Sequence, residues 1–357
     1  MDTVTLVNEL RASADFMRGR TPLYERIVSG LAAAVEKGVD GGVVVRLLST
    51  PGPTTALEAR LLLLAALHHA ALTRPGLSHA AWFPTAVGAD ARRPDDGAPA
   101  AAALEYLVDH EDQVAEFIAT RRLQTNEIGR CAALLPGMLA AAALGLPLRL
   151  LEVGCSAGLN LLFDRYHYTY VNGPTWGARG SVTLEATAEG NVPRRLVPPT
   201  VEIAERRGVD LHPLRVGDAD DERLLRSFVW PDEHDRQRHL VAAIEIARAS
   251  RLELETGDLA AWATEHLHPE EGVTTVLFHS AVVDKLDDAT YGRFEGLVER
   301  ALRGAVAGAP VVHLRLESTR GTDSFPELIL TIGDGDGPPR TRTVLTADFH
   351  GRWVTWW

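Results

Sequence analysis

The residues best suited to chemistry lie together in LRLLEVGCSAGLNLLFDRY, residues 148–166. An apolar run ends in Glu152-x-Gly154-x-x-x-Gly158, and a helical pattern opens at once. Glycines at a strand–helix junction let the backbone turn sharply and let a ligand approach the first helical amides. In dinucleotide-binding turns the middle glycine lets the pyrophosphate close in. Here that position is Ser156. Glu152 precedes the first glycine by two residues. A carboxylate there repels a pyrophosphate and attracts a cation, more strongly in a partly dry cleft than in water.

Dinucleotides and S-adenosylmethionine are the two ligand classes that use such a turn, and the acid favours the second, whose methionine part carries an ammonium group. Glu152, Gly154, Ser156 and Gly158 are therefore the first candidate contacts. Asp210, in GVDLHP, is placed to accept ribose hydroxyls or to serve as a turn or cap aspartate. About 50 residues separate it from Gly158, and Glu185 is the alternative ribose ligand. Asp258, in TGDL, would set an oxygen near the adenine amino group or close a turn. His279, ending TTVLFHS, is the candidate general base, with a core histidine as the other reading. In QTNEIGR, Asn126 and Arg130 are four apart and share a helix face. They would hold a substrate carboxylate, or the cluster caps the helix that follows. The histidines lack metal-ligand spacing, so no metal is expected.

These residues need a scaffold, and the pattern supplies one. Residues 1–145 read as helices, with Thr21-Pro22 opening one that stops at Gly38 and Thr54-Thr55 opening a second that runs to Thr73. A third is expected over 100–121 and a fourth over 126–144, with a polar loop at 84–99. From Leu148 onward, apolar runs at 148–154, 208–211, 251–258, 274–280 and 310–316 alternate with helical stretches at 236–249 and 289–304. That alternation predicts a mostly parallel sheet. The C-terminal stretch reads as an antiparallel hairpin, and 167–200 as a hairpin insertion, either a lid or wall over the site or a surface excursion with no role. The expected division is a helical cover domain at 1–145 and an α/β domain at 146–357.

The chain has 357 residues and a formal charge of −12, from 48 acids and 36 bases. No basic run offsets this, which disfavours nucleic acid as a partner. Two unpaired cysteines argue for a reducing compartment. The N-terminus lacks the basic start and apolar core of a secretory signal. The apolar run 132–148 is interrupted by Pro and Gly. A cytoplasmic protein without membrane association is expected.

The order E-x-G-x-x-x-G, G-V-D-x-x-P, G-D over residues 148–357 resembles a class I S-adenosylmethionine-dependent methyltransferase. The whole chain also resembles a bacterial family of unassigned function with that fold. The shared segments are QTNEIGR (124–130), EVGCSAGLNLLFDRYHYTY (152–170), GVDLHP (208–213), WPDEHDRQRHL (230–240) and HGRWVTWW (350–357). The resemblance implies a Rossmann-like methyltransferase sheet with a C-terminal antiparallel hairpin behind an all-helical N-terminal domain. With it, methyl transfer is the expected activity; the acidic surface points to a small-molecule substrate, the insertions to an enclosed cleft between the two domains, and Asn126 with Arg130 to an anionic group on that substrate. The same scaffold performing elimination or cyclisation, or acting as a non-catalytic partner or homo-oligomeric subunit, stays open.

Overall fold

The computed structural model describes residues 2–322 and 324–357. It opens with α1 (Thr3–Met17), α2 (Pro22–Lys37), α3 (Val43–Leu48), α4 (Ala56–Thr73), α5 (Pro84–Val87), α6 (Pro99–Asp109) and α7 (Glu111–Thr120). The 84–99 stretch is thus not all loop. The helix expected over 100–121 divides at His110, which stacks on Tyr106 with ring centroids 4.3 Å apart. Helix α2 starts at Pro22 and ends at Gly38, as its sequence signals require. Thr21 precedes it without a side-chain cap hydrogen bond. Thr21 gives its hydroxyl to Asp232 at 2.6 Å, and the same carboxylate oxygen accepts the Leu23 N–H at 3.1 Å. Helix α4 does follow the capping rule, with Thr55 Oγ1 accepting the Glu58 N–H at 3.0 Å. By length and composition α4 could cross a membrane. Here it is largely buried and packs against α3, α7 and, later in the chain, α9 (Ala219–Ser227).

The remaining elements are α8 (Cys131–Ala142), β1 (Leu148–Val153), β2 (His167–Val171), β3 (Thr175–Trp176), β4 (Thr183–Gly190) and β5 (Ile203–Asp210). After α9 come α10 (His234–Arg248), β6 (Glu253–Thr256), α11 (Leu259–His266), β7 (Thr274–Ser280), α12 (Asp288–Gly304) and β8 (Val311–Glu317). The chain ends with β9 (Glu327–Gly333), β10 (Arg340–Ala347) and β11 (Trp353–Trp356). Two compact units result: residues 1–125 with 217–238, and residues 126–216 with 239–357. The sequence reading divides the chain after 145. Contacts instead group α8 with the strands and α9 with the helices.

The sheet-bearing unit is mixed α/β. Its eleven strands run in the order β3-β2-β4-β11-β10-β9-β8-β7-β1-β5-β6. The stretch β8-β7-β1-β5-β6 is parallel throughout. Strand β1 lies between β5 and β7, so the order of connection reverses there, and ligands of open α/β sheets bind outside the carboxyl ends of strands at such a reversal. From β8 the chain turns back through antiparallel β9, β10 and β11.

The 167–200 stretch is not a separate hairpin. Strands β2 and β4 pair in parallel, β4 pairs in parallel with β11, and only the two-residue β3 is antiparallel to β2. The segment extends the main sheet, and its alternating burial reflects that seat.

One face of the sheet packs on α11 and α12 through Leu151, Val153, Leu277, Phe294 and Val311. The other packs on α8, whose Gly137 lets the backbone approach so closely that a Cβ there would lie 2.6 Å from Leu314. Because side chains alternate along a strand, Glu152 and its β7 neighbour Phe278 share the α8 face.

Candidate functional site at the end of the first parallel strand

Strand β1 delivers Glu152 to the reversal point with only 2% of its surface exposed. Its Oε1 accepts from Asn160 Nδ2 at 3.3 Å, and its Oε2 is buried without a hydrogen-bond partner. Burial pushes this carboxyl well above the usual carboxylate range, and the Asp210 charge adds to the rise; the Asn160 hydrogen bond and the Arg130 charge oppose it. An orphaned buried carboxylate oxygen costs roughly 1–3 kcal/mol or more, so it marks a place where a donor or cation would be welcome. Asn160 is itself held, its Oδ1 accepting from Cys131 Sγ at 3.2 Å. Burial raises the Cys131 thiol well above its usual range, so it stays protonated.

The glycine turn is built as expected, and its occupants explain its glycines differently. Gly154 and Gly158 both have φ of +70°, a left-handed conformation that side-chain-bearing residues resist. A Cβ on Gly154 would meet Val282 at a distance no real pair adopts, and one on Gly158 would lie 2.9 Å from Leu254. Both glycines therefore admit the protein's own side chains. Ser156 is left-handed too, at φ +51°. Its N–H donates to Asp210 Oδ2 at 2.9 Å, while Asp210 Oδ1 accepts the His212 N–H at 2.9 Å. Asp210 thus stands beside the turn, as the sequence reading requires, and ties its backbone.

The QTNEIGR segment closes over the same turn. Asn126, at φ +33°, accepts the Leu159 N–H on its Oδ1 at 3.1 Å. Glu127 accepts the Gly129 N–H at 3.0 Å and faces His350 Nδ1 at 3.2 Å. Arg130 donates from Nε to the Phe349 carbonyl at 3.1 Å and from Nη1 to Ser280 at 3.4 Å. Three sequence-distant segments therefore meet at one end of the sheet. Of the four non-glycine residues with positive φ among those described, three border it: Asn126, Ser156 and Ala281. Such strain persists where the surroundings hold it and concentrates at functional sites.

Other candidates lie elsewhere. His279 is fully buried on the opposite face from Glu152. Its Nδ1 meets Glu317 Oε1 at 2.6 Å and its Nε2 meets His313 Nε2 at 3.1 Å, with Phe294 of α12 packed beside it. It does not open onto the glycine turn. Asp258 caps α11, accepting the Ala260 and Ala261 N–H groups at 3.1 and 2.9 Å. Glu185 lies on β4, paired with Thr169 of β2 rather than with the parallel strands around β1. Asp164 forms a two-pronged pair with Arg206, both contacts at 2.8 Å. Among the described residues no group of three or more His, Cys, Asp or Glu is placed to hold a metal ion.

A family described as "uncharacterized protein conserved in bacteria" (DUF2332) matches residues 7–356. The chain belongs to that family. A search of curated proteins found no match. The match covers both compact units and every segment that converges on the turn.

Sequence reasoning missed three participants. Val282 covers Gly154, Glu317 anchors the loop after β7 by accepting the Val282 N–H at 3.0 and 3.1 Å, and Cys131 orients Asn160. No local motif marks them, because each acts through a partner far away in sequence.

Proposed function

We propose that the sheet-bearing unit is a class I methyltransferase-like module that binds S-adenosylmethionine at the carboxyl ends of β1 and β5 and methylates a small molecule. The observation that carries this reading is Glu152, whose buried and unpartnered Oε2 suits the ammonium of the methionine part. Asp210, at the end of the neighbouring strand and bonded to the Ser156 N–H of the turn, has the acceptor chemistry that suits ribose hydroxyls. The order of the five parallel strands supports the reading, as does the turn at the reversal point. When bound, the cofactor supplies a methyl group on an electron-poor sulfur. The chain would fix its position through Glu152 and Asp210 and keep water from Glu152 through Asn160 and Cys131. A ligand reaching Gly154 displaces Val282 from above it.

Titration of the protein with S-adenosylmethionine and with its demethylated product tests this. Glu152→Gln should weaken both by about tenfold or more, the scale of a lost charge-assisted contact. Absent binding, or binding indifferent to Glu152→Gln, refutes the reading.

A second reading keeps the ligand and drops methyl transfer. It is favoured by His279, the expected base, being enclosed by Glu317 and His313 on the other face. Analysis of the bound nucleoside after incubation with candidate acceptors separates the two.

A further inference from the structure

A cavity of about 200 Å³ opens at the carboxyl ends of β7 and β8, beside the turn. Its walls are mainly carbon, from Leu316, Pro326, Phe349 and Ala281. Phe349 is 42% exposed and packs on Phe325, which in turn meets Trp353 edge-on at 4.9 Å between centroids. The rim therefore offers ring surface to a ligand. Two lining acids are committed inward. Glu317 holds His279 and the Val282 N–H, and Asp348 holds the Arg352 backbone and guanidinium at 2.5 and 2.7 Å. A third, Asp284, is exposed to solvent at the edge. Lys285 lines the same rim and makes no ion pair among the described residues. Ser318 presents a buried hydroxyl with no hydrogen-bond partner. Arg130 forms the side toward Glu152, close enough for its charge to act on that carboxyl.

The geometry points to this cavity as the site of a small aromatic carboxylate. The ring lies against Phe349, Leu316 and Pro326, and the carboxylate is taken by Arg130, Lys285 and the Ser318 hydroxyl. Arg130 already donates from Nε and Nη1 to Phe349 and Ser280, so it contributes its charge, while Lys285 on the rim and the Ser318 hydroxyl supply the direct contacts. The volume suits one ring with a short acid arm. Naming this ligand the methyl acceptor rests on the cofactor reading above, because Arg130 stands between the cavity and Glu152. The binding itself does not.

Benzoate, benzyl alcohol and benzamidine share a ring and differ in charge, so ligand-detected NMR titration of the full chain with each is the test. Benzoate should bind about tenfold more tightly than benzyl alcohol, and benzamidine more weakly still. Lys285→Gln lies on the exposed rim and should cut benzoate affinity several-fold without altering benzyl alcohol. Ser318→Ala should do the same to a smaller degree. Equal affinity for the three probes, or benzoate binding unmoved by both substitutions, overturns the proposal. Repeating the benzoate titration with S-adenosylmethionine present separates the two ideas: charge-selective binding that the nucleoside leaves unchanged supports the cavity and counts against the acceptor role.

Discussion

Glu152 is the residue on which most depends. A carboxyl whose folded-state pKa is raised keeps its proton in the folded chain while the unfolded chain releases it above the ordinary value of 4.5. Its contribution to stability is therefore complete below that value and is lost as pH rises toward the folded-state pKa. Glu152→Gln removes the titration but keeps the shape. Urea unfolding at pH 5 and pH 7.5 should show the variant gaining on the parent at the higher pH; a constant difference would mean that Glu152 is already paired. Glu317 acts differently. It anchors a buried imidazole and the loop that covers Gly154. Glu317→Ala strands both donors, at about 1–3 kcal/mol each, and the loss should appear in the same unfolding measurement.

The elements show what a sequence reveals. Strands β1, β7 and β8 were legible as apolar runs between turn residues, with β1 and β7 buried at every position, whereas β5 was legible only at its end near Val209 and β6 only by the alternation around Leu254. The glycine turn and the neighbouring Asp210 were legible because special backbone conformations require particular residue types. The pairing of β2 and β4 was not, since alternation sets which face a side chain takes but not which strand lies alongside. His279 was misplaced for a similar reason. Its position at a strand end was correct, but one residue of parity moves it from the α8 face to the α12 face. The purpose of the glycines also shifts. If Gly154 served only to admit a ligand, Gly154→Val would block binding and spare the fold. With Val282 seated above it and φ at +70°, the variant should instead lose stability, visible as a lowered denaturation midpoint. Asp258, capping α11, should cost about 1 kcal/mol when changed to Ala. A larger fall confined to nucleoside affinity would restore its adenine role.

In both compact units, buried histidines contribute to the response to acid. In the helical unit, burial lowers His68 to about 3 and His79 to about 4, and in the sheet-bearing unit it holds His313 well below its usual value. These groups are neutral when folded, so the stability they contribute is present above pH 6.5 and is lost as pH falls through the folded-state values. For His68 the loss between pH 6.5 and 5 is about 2 kcal/mol, and His68→Gln should flatten that part of the stability curve. Glu152 runs in the opposite sense, and this gives the most direct test of its proposed role. If a cationic nucleoside is received by a carboxyl that is protonated beforehand, binding must expel a proton. Calorimetric titration with S-adenosylmethionine near pH 6, in two buffers of unlike ionisation heat, measures it. The account predicts net proton release in the parent and none in Glu152→Gln. Binding with the same heat in both buffers, or no binding at all, would contradict it.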